Sequence, residues 1–165
     1  MNSIIDNMLR EAVSDHKNNK LKEAKLKYLK IISINSNNPL VFNNLGSIFF
    51  KEGDLLEAKK LYKIAINLKP NYLEALNSLG NTLYKMENFK EAETYFKKII
   101  GLKPNFEPAL LSLGQIEFNN RNYKKAIYYF DLCNTKETRS RALIALYKIN
   151  EIDQIFDRIK KFSIQ

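Results

Sequence analysis

The 165-residue sequence has one cysteine, one histidine, five glycines and four prolines, and each scarcity removes a class of protein. A single thiol, Cys133, excludes an internal disulfide framework. With only His16 beside it, no soft-ligand cluster for zinc can be assembled. A lone histidine limits any His-based nucleophile pair to whatever serine or carboxylate a tertiary contact brings. The expectation is therefore a non-enzyme with no metal and no cofactor. The glycines sit in helical patterns or at the turn of Gly53, so no glycine-rich loop cradles a phosphate. Proline and glycine are too few to mark a flexible linker. Every apolar run falls short of the roughly 18 residues that a membrane span needs. Asp6, Arg10 and Glu11 interrupt the first apolar stretch, unlike a secretory signal. A soluble, cytoplasmic chain is expected.

Cations are what the sequence has in excess. Lysine and arginine number 27 against 18 acidic residues, giving a formal net charge of +9. That balance favours anionic partners: acidic peptides, nucleic acid or anionic lipid. The plainer alternative is a set of solvated lysine faces, because lysine and asparagine are abundant throughout. On charge alone, the plainer alternative is preferred.

The strongest signal is a period of 34. Gly46, Gly80 and Gly114 are spaced by it, as are Ala24, Ala58, Ala92 and Ala126. So are Tyr28, Tyr62, Phe96 and Phe130, and the pair Pro70 and Pro104. A fixed period of 20–50 residues means stacked supersecondary units. The units fall at about 5–38, 39–72, 73–106 and 107–140, with 141–165 following as capping helices in a single domain. Terminal units of such arrays need a polar outer face.

Within the clearest units, first helices over about 40–51 and 73–86 end at Glu52–Gly53 and Glu87–Asn88. Second helices begin with Asp54 and Glu57, or Asn88 and Glu91, the spacing of a capping box. They stop near Leu68–Lys69–Pro70 and Leu102–Lys103–Pro104. In the first unit, Ile4, Ile5, Met8, Leu9, Ala12 and Val13 form one helical stripe. Ser36–Asn37–Asn38–Pro39 then forces a turn. After the fourth unit, 139–149 and 152–162 are expected as two shorter helices.

These units resemble the tetratricopeptide repeat, a helix–turn–helix with the pattern W-x2-L-G-x2-Y, A-x3-F and P. The second unit supplies Phe42, Leu45, Gly46, Phe49, Ala58, Tyr62, Ala65 and Pro70. The third supplies Leu76, Leu79, Gly80, Leu83, Ala92, Phe96, Ile99 and Pro104. The fourth keeps Leu113, Gly114, Ala126 and Phe130, and the resemblance covers about 5–140. It implies an all-α, right-handed α-solenoid with a C-terminal helical cap. Glu11, Asp15 and Glu117 stand where the family places Leu, Tyr and an aromatic. Burying an unpaired carboxylate is costly, so all three are expected to face solvent.

The resemblance also implies a trade, the holding of protein partners in a concave groove lined by first helices. Its groove positions fall on Asn43, Asn44, Ser47 and Lys51, then Asn77, Ser78, Asn81 and Lys85. In the fourth unit they fall on Leu111, Ser112, Gln115 and Asn119. Lys17, Lys51 and Lys85 keep the 34-residue step as a ladder, with His16, Phe50, Tyr84 and Phe118 beside them. Amides and hydroxyls would bond an extended peptide's backbone, and lysines its acidic side chains. The aromatics are expected to pack against the adjacent repeat. Family members that grip a chaperone's terminal carboxylate need a Lys/Asn/Arg set that this sequence lacks, having Leu9, Val13, Glu74 and Pro108 at those positions. The Asn before Leu-Gly is similar to the asparagine ladder of arrays fused to glycosyltransferases, but Ser78 and Ser112 break it. The alternatives are RNA binding on a basic helical surface, which ranks below peptide binding, and a targeting arm of a larger enzyme.

Overall fold

The computed structural model describes residues 2–34, 37–133 and 135–163. Among them every regular element is an α-helix: α1 (Asn2–Lys17), α2 (Leu21–Ile34), α3 (Pro39–Glu52), α4 (Leu55–Leu68) and α5 (Leu73–Lys85). There follow α6 (Phe89–Leu102), α7 (Glu107–Asn119), α8 (Tyr123–Cys133), α9 (Lys136–Lys148) and α10 (Ile152–Ser163). The all-α class that the resemblance implies is observed. Two compact units are distinguished, Met1–Ala92 and Glu93–Gln165.

One turn geometry is built five times. One or two residues past each first helix the chain takes a left-handed conformation: Asn19, Gly53, Glu87, Arg121 and Asn150, with φ between 59° and 88°. The next residue's N–H then reaches back five places. Lys20 donates to the Asp15 carbonyl, Asp54 to Phe49, Asn88 to Leu83, Asn122 to Glu117 and Glu151 to Leu146, at 2.8–3.1 Å. This closes carbonyls that the helix end leaves without intrahelical partners. Only Gly53 has the residue that this conformation favours. Replacing Glu87 or Arg121 by glycine should therefore stabilise the fold by about 0.5–1 kcal/mol each. A melting temperature raised by about 2–4 °C per site is the expected result.

Four of these turns are 34 residues apart, but Arg121 and Asn150 are separated by 29 (150 − 121). The pair α9–α10 therefore reads as a fifth repeat drawn forward by five residues. Its first helix starts at Lys136, so Thr138, Arg139 and Ser140, expected at the end of the fourth unit, lie inside α9. Its start is fixed by a reciprocal capping box. Thr135 Oγ1 accepts from the Thr138 N–H at 3.2 Å, and Thr138 Oγ1 accepts from the Thr135 N–H at 2.9 Å. The boxes expected at Asp54 and Asn88 are half-made. Asp54 Oδ1 accepts from the Glu57 N–H at 3.0 Å, but the Glu57 carboxylate turns to Lys60 at 2.9 Å. Asn88 Nδ2 donates to Glu91 Oε2 at 2.8 Å, side chain to side chain. The Ser36 end of the expected turn lies outside the described residues. At its other end Asn38 caps α3 by accepting from the Leu40 N–H at 3.0 Å, and Pro39 occupies the first turn.

In the first unit the core joins Ala12, Ala24, Tyr28, Ile31, Val41, Phe42, Leu45, Ile48, Leu61, Ala65 and Ala75. In the second, Ala126, Phe130 and Ala142 pack with Leu111 and Phe118. The signature positions Leu79, Gly80, Ala58, Tyr62, Ala92, Phe96 and Leu113 are likewise buried. Pro70 and Pro104 stand in the turns after α4 and α6. Full burial of each large side chain contributes roughly 1.5–3 kcal/mol. Arg158 of α10 is tied back to α8 by two bonds to Asp131, at 2.6 and 2.8 Å. The outer surface of this last pair is not polar, since Ile144, Tyr147, Phe156 and Ile159 are between 46% and 68% exposed.

The expectation that three carboxylates face solvent holds only for Glu11. Glu117 is 4% exposed. It is compensated by Asn122, whose Nδ2 donates to Oε2 at 2.8 Å, and by Lys125 at 4.0 Å. Asp15 is half-buried and ion-paired with Lys27 at 2.7 Å. A carboxylate can occupy the aromatic's position when a partner on the adjoining helix or turn meets it.

Candidate groove on the first helices

The lysines of the first unit differ in their pairing. On second helices Lys25 pairs with Glu52 at 2.6 Å, Lys27 with Asp15 and Glu11 at 2.7 and 2.9 Å, and Lys60 with Glu57 at 2.9 Å, whereas Lys22 and Lys30 of α2 have no ion pair among the described residues. Lys59 and Lys63 share Glu91 at 3.5 and 3.6 Å. On the first helices, Lys17 and Lys51 have no ion-pair partner among the described residues. Both line one open cleft of about 450 Å³, together with Val13, His16, Tyr28, Leu40 and Asn44. Lys85, the next rung, lies with its ammonium 5.0 Å from the centre of the Phe50 ring. A cation over a ring face is attracted by the ring's quadrupole.

Two predicted groove residues also serve the stack. Asn44 Nδ2 donates to the Tyr28 hydroxyl at 3.1 Å. Ser78 hydrogen-bonds the Tyr62 hydroxyl, the same arrangement one repeat on. Each closes a buried phenol that would otherwise be left unpaired. Burial still pushes the Tyr28 hydroxyl above the usual tyrosine range, and pushes Tyr62 up to about 12, with the hydrogen bond opposing in each case. In the next repeat the large residue is Phe96, which has no hydroxyl, and Ser112 donates instead to the Pro108 carbonyl at 2.9 Å.

Asn43 and Asn77 behave differently. Each has a buried side-chain carbonyl oxygen without a hydrogen-bond partner among the described residues, and the two are one repeat apart. Asn43 is 9% exposed, and its Nδ2 donates to Asn44 Oδ1 at 3.4 Å. Ser47 is half-buried and Asn81 exposed, both on the helices that hold these amides. His16 lies edge-on to Tyr28, ring centres 6.2 Å apart. Its pKa is lowered by burial and then by the nearby Lys51 ammonium.

In the second unit, Gln115 donates to Asn119 Oδ1 at 2.8 Å and accepts from Arg141. Gln115 and Arg141, with Phe118, Phe130 and Ile144, line a cleft of about 320 Å³. Sequence reasoning placed Ser112, Gln115 and Asn119 here but missed Arg141 and Ile144. The signal that could have found them is the 29-residue step, which sets Arg141, Ile144 and Lys148 opposite Ser112, Gln115 and Asn119. Two aromatics beside the groove pack within their own repeat rather than against the adjacent one. Tyr84 meets Phe89 edge-on at 5.1 Å, and Phe118 meets Tyr123 at 5.3 Å. Cys133 is buried, its thiol donating weakly to the Glu107 carbonyl at 3.9 Å, and burial pushes its pKa up. No helix among the described residues is long and apolar enough to cross a membrane.

Comparison with known proteins fits this architecture. Residues 38–105 match the tetratricopeptide repeat family. Among solved structures, PilF of Pseudomonas aeruginosa is 23% identical with a TM-score of 0.80, over 98% of this chain and 74% of its own. MamA of Desulfovibrio magneticus RS-1 is 15% identical with a TM-score of 0.82, over 95% and 92%. YrrB, described as a TPR protein with an unusual peptide-binding site, is 18% identical with a TM-score of 0.76, over 93% and 82%. No curated protein matches the sequence. Residues 38–105 thus carry tetratricopeptide repeats, and the fold of the chain is an all-α helical-repeat solenoid.

Proposed function

We propose that this chain is a non-catalytic protein–protein interaction scaffold whose first helices hold an extended, acidic peptide segment. One observation carries this reading. Lys25, Lys27, Lys59, Lys60 and Lys63 on second helices are neutralised by the protein's own carboxylates, whereas Lys17 and Lys51 are unpaired and share one cleft. That YrrB is described as having a peptide-binding site lends a precedent within the fold.

The rival is RNA. Single-stranded RNA needs exposed aromatic or arginine platforms, and Tyr84 and Phe118 are engaged edge-on with Phe89 and Tyr123. The test is fluorescence anisotropy with an N-acetylated, C-amidated hexaglutamate peptide and with decauridylate. Hexaglutamate should bind with micromolar affinity that weakens as salt rises from about 50 to about 300 mM, since exposed charges are screened. Decauridylate binding tighter than hexaglutamate would overturn the peptide reading.

A further inference from the structure

The cleft between α1 and α3 contains a third basic group that no lysine ladder reveals. His16 lies in it between Lys17 and Lys51, with Tyr28 behind and Asn44 across. Groups that face it from each packed element can be named. They are Tyr28 from α2, Lys51 and Asn44 from α3, and Lys17 and Asp15 on its own helix. Asp15 is held by Lys27, so the carboxylate nearest in sequence is already engaged. The imidazole therefore sits among ammonium groups with no carboxylate lining the cleft.

We infer that this cleft is a proton-linked carboxylate site, in which an acidic side chain of the partner is bound by Lys17, Lys51 and protonated His16. The inference rests on the peptide reading above and deepens it by naming the group recognised and its control. In the free protein, burial and then the Lys51 ammonium both disfavour the imidazolium. A carboxylate entering between the cations reverses the local field and favours protonation. The bound state then holds more protons than the free one. Binding must tighten as pH falls through the bound-state pKa, and level off below the free-state value.

Because His16 is the chain's only histidine, its Cε1–H gives a single NMR resonance, which reports the group directly. The experiment titrates that resonance between about pH 5.5 and pH 8.5, where glutamate side chains stay ionised. It is run on the free protein, with capped hexaglutamate, with capped hexaglutamine, and with a neutral peptide bearing a free C-terminus. Hexaglutamate should raise the His16 pKa by about half a unit or more, with roughly a threefold gain in affinity from pH 7.5 to pH 5.5. Hexaglutamine should do neither. A rise with the free C-terminus alone would make the ligand a chain end rather than a side chain, and would overturn the assignment. His16→Gln should lose the pH dependence, so that hexaglutamate binds no more tightly at pH 5.5 than at pH 7.5. Lys51→Gln should raise the free His16 pKa, because the ammonium that depresses it is gone. If hexaglutamate binds, and Lys17 and Lys51 substitutions weaken it while the His16 titration stays fixed, the proton linkage is wrong and the groove stands. If hexaglutamate fails to bind, or binds regardless of those lysines, the groove reading and this inference both fall.

Discussion

Gly114→Ala is expected to destabilise the protein by about 1–3 kcal/mol, the usual cost of adding a methyl group to a packed interior. A Cβ at Gly114 would press into the ring of Phe130, which is 1% exposed. That ring cannot swing away, because Ala126, Ala142, Leu111 and Phe118 surround it. Gly46→Ala should act in the same direction, with its Cβ 2.8 Å from Tyr62 Cε1. Gly101→Ala should act in the opposite direction. It lies in α6 with nothing within 4 Å of the place its methyl group would take, so alanine adds about 0.5–1 kcal/mol by restricting the unfolded chain. Urea or thermal melts of the three variants check this. A common sign for Gly114→Ala and Gly101→Ala would contradict the packing described here.

Much of the fold is legible in residue size alone. The step linking Gly46, Gly80 and Gly114 to the alanines and large aromatics is a packing rule written directly in the sequence. Small residues let helices approach, and Tyr62 and Phe130 fill the space that Gly46 and Gly114 leave. The turns are legible in part. Gly53 announces a left-handed residue, but Glu87 and Arg121 adopt it because the reach-back hydrogen bond and the next helix over-determine it. The start of the last pair is hidden from a strict 34-residue period. The five-residue shortening carries Thr135 and Thr138 out of phase with the pattern, although together they cap α9.

The groove is harder to read, since a polar residue on a first helix can face a ligand or a neighbour. Asn44 and Ser78 have tyrosine hydroxyls to satisfy, and those lie on the preceding repeat's second helix. Glu117 reads in sequence as a solvent-facing substitution for an aromatic, yet Asn122 makes its burial tolerable. Apart from Lys60, three residues after Glu57 on one helix, the pairing of these lysines is not signalled by sequence spacing. Lys59 meets Glu91 across 32 positions, a contact that exists only after two repeats stack.

The second large effect concerns binding. Lys17→Glu with Lys51→Glu should weaken hexaglutamate binding at least tenfold, about 1.4 kcal/mol or more, because like charge then faces the acidic chain. Lys59→Glu with Lys60→Glu changes net charge by the same amount. These lysines pair with Glu91 and Glu57 at 3.5 and 2.9 Å, on the second helix. Exposed pairs of this kind contribute about 0–1 kcal/mol to stability, so both variants should remain folded, as circular dichroism would verify. The decisive measurement is the anisotropy-derived Kd of the two double variants beside the unaltered chain, at one pH and one salt concentration. The groove predicts at least a tenfold loss for Lys17→Glu/Lys51→Glu and a change within about twofold for Lys59→Glu/Lys60→Glu. Equal losses would mean diffuse attraction to a basic surface, and a loss confined to Lys59→Glu/Lys60→Glu would place the partner on the second helices, contradicting the account.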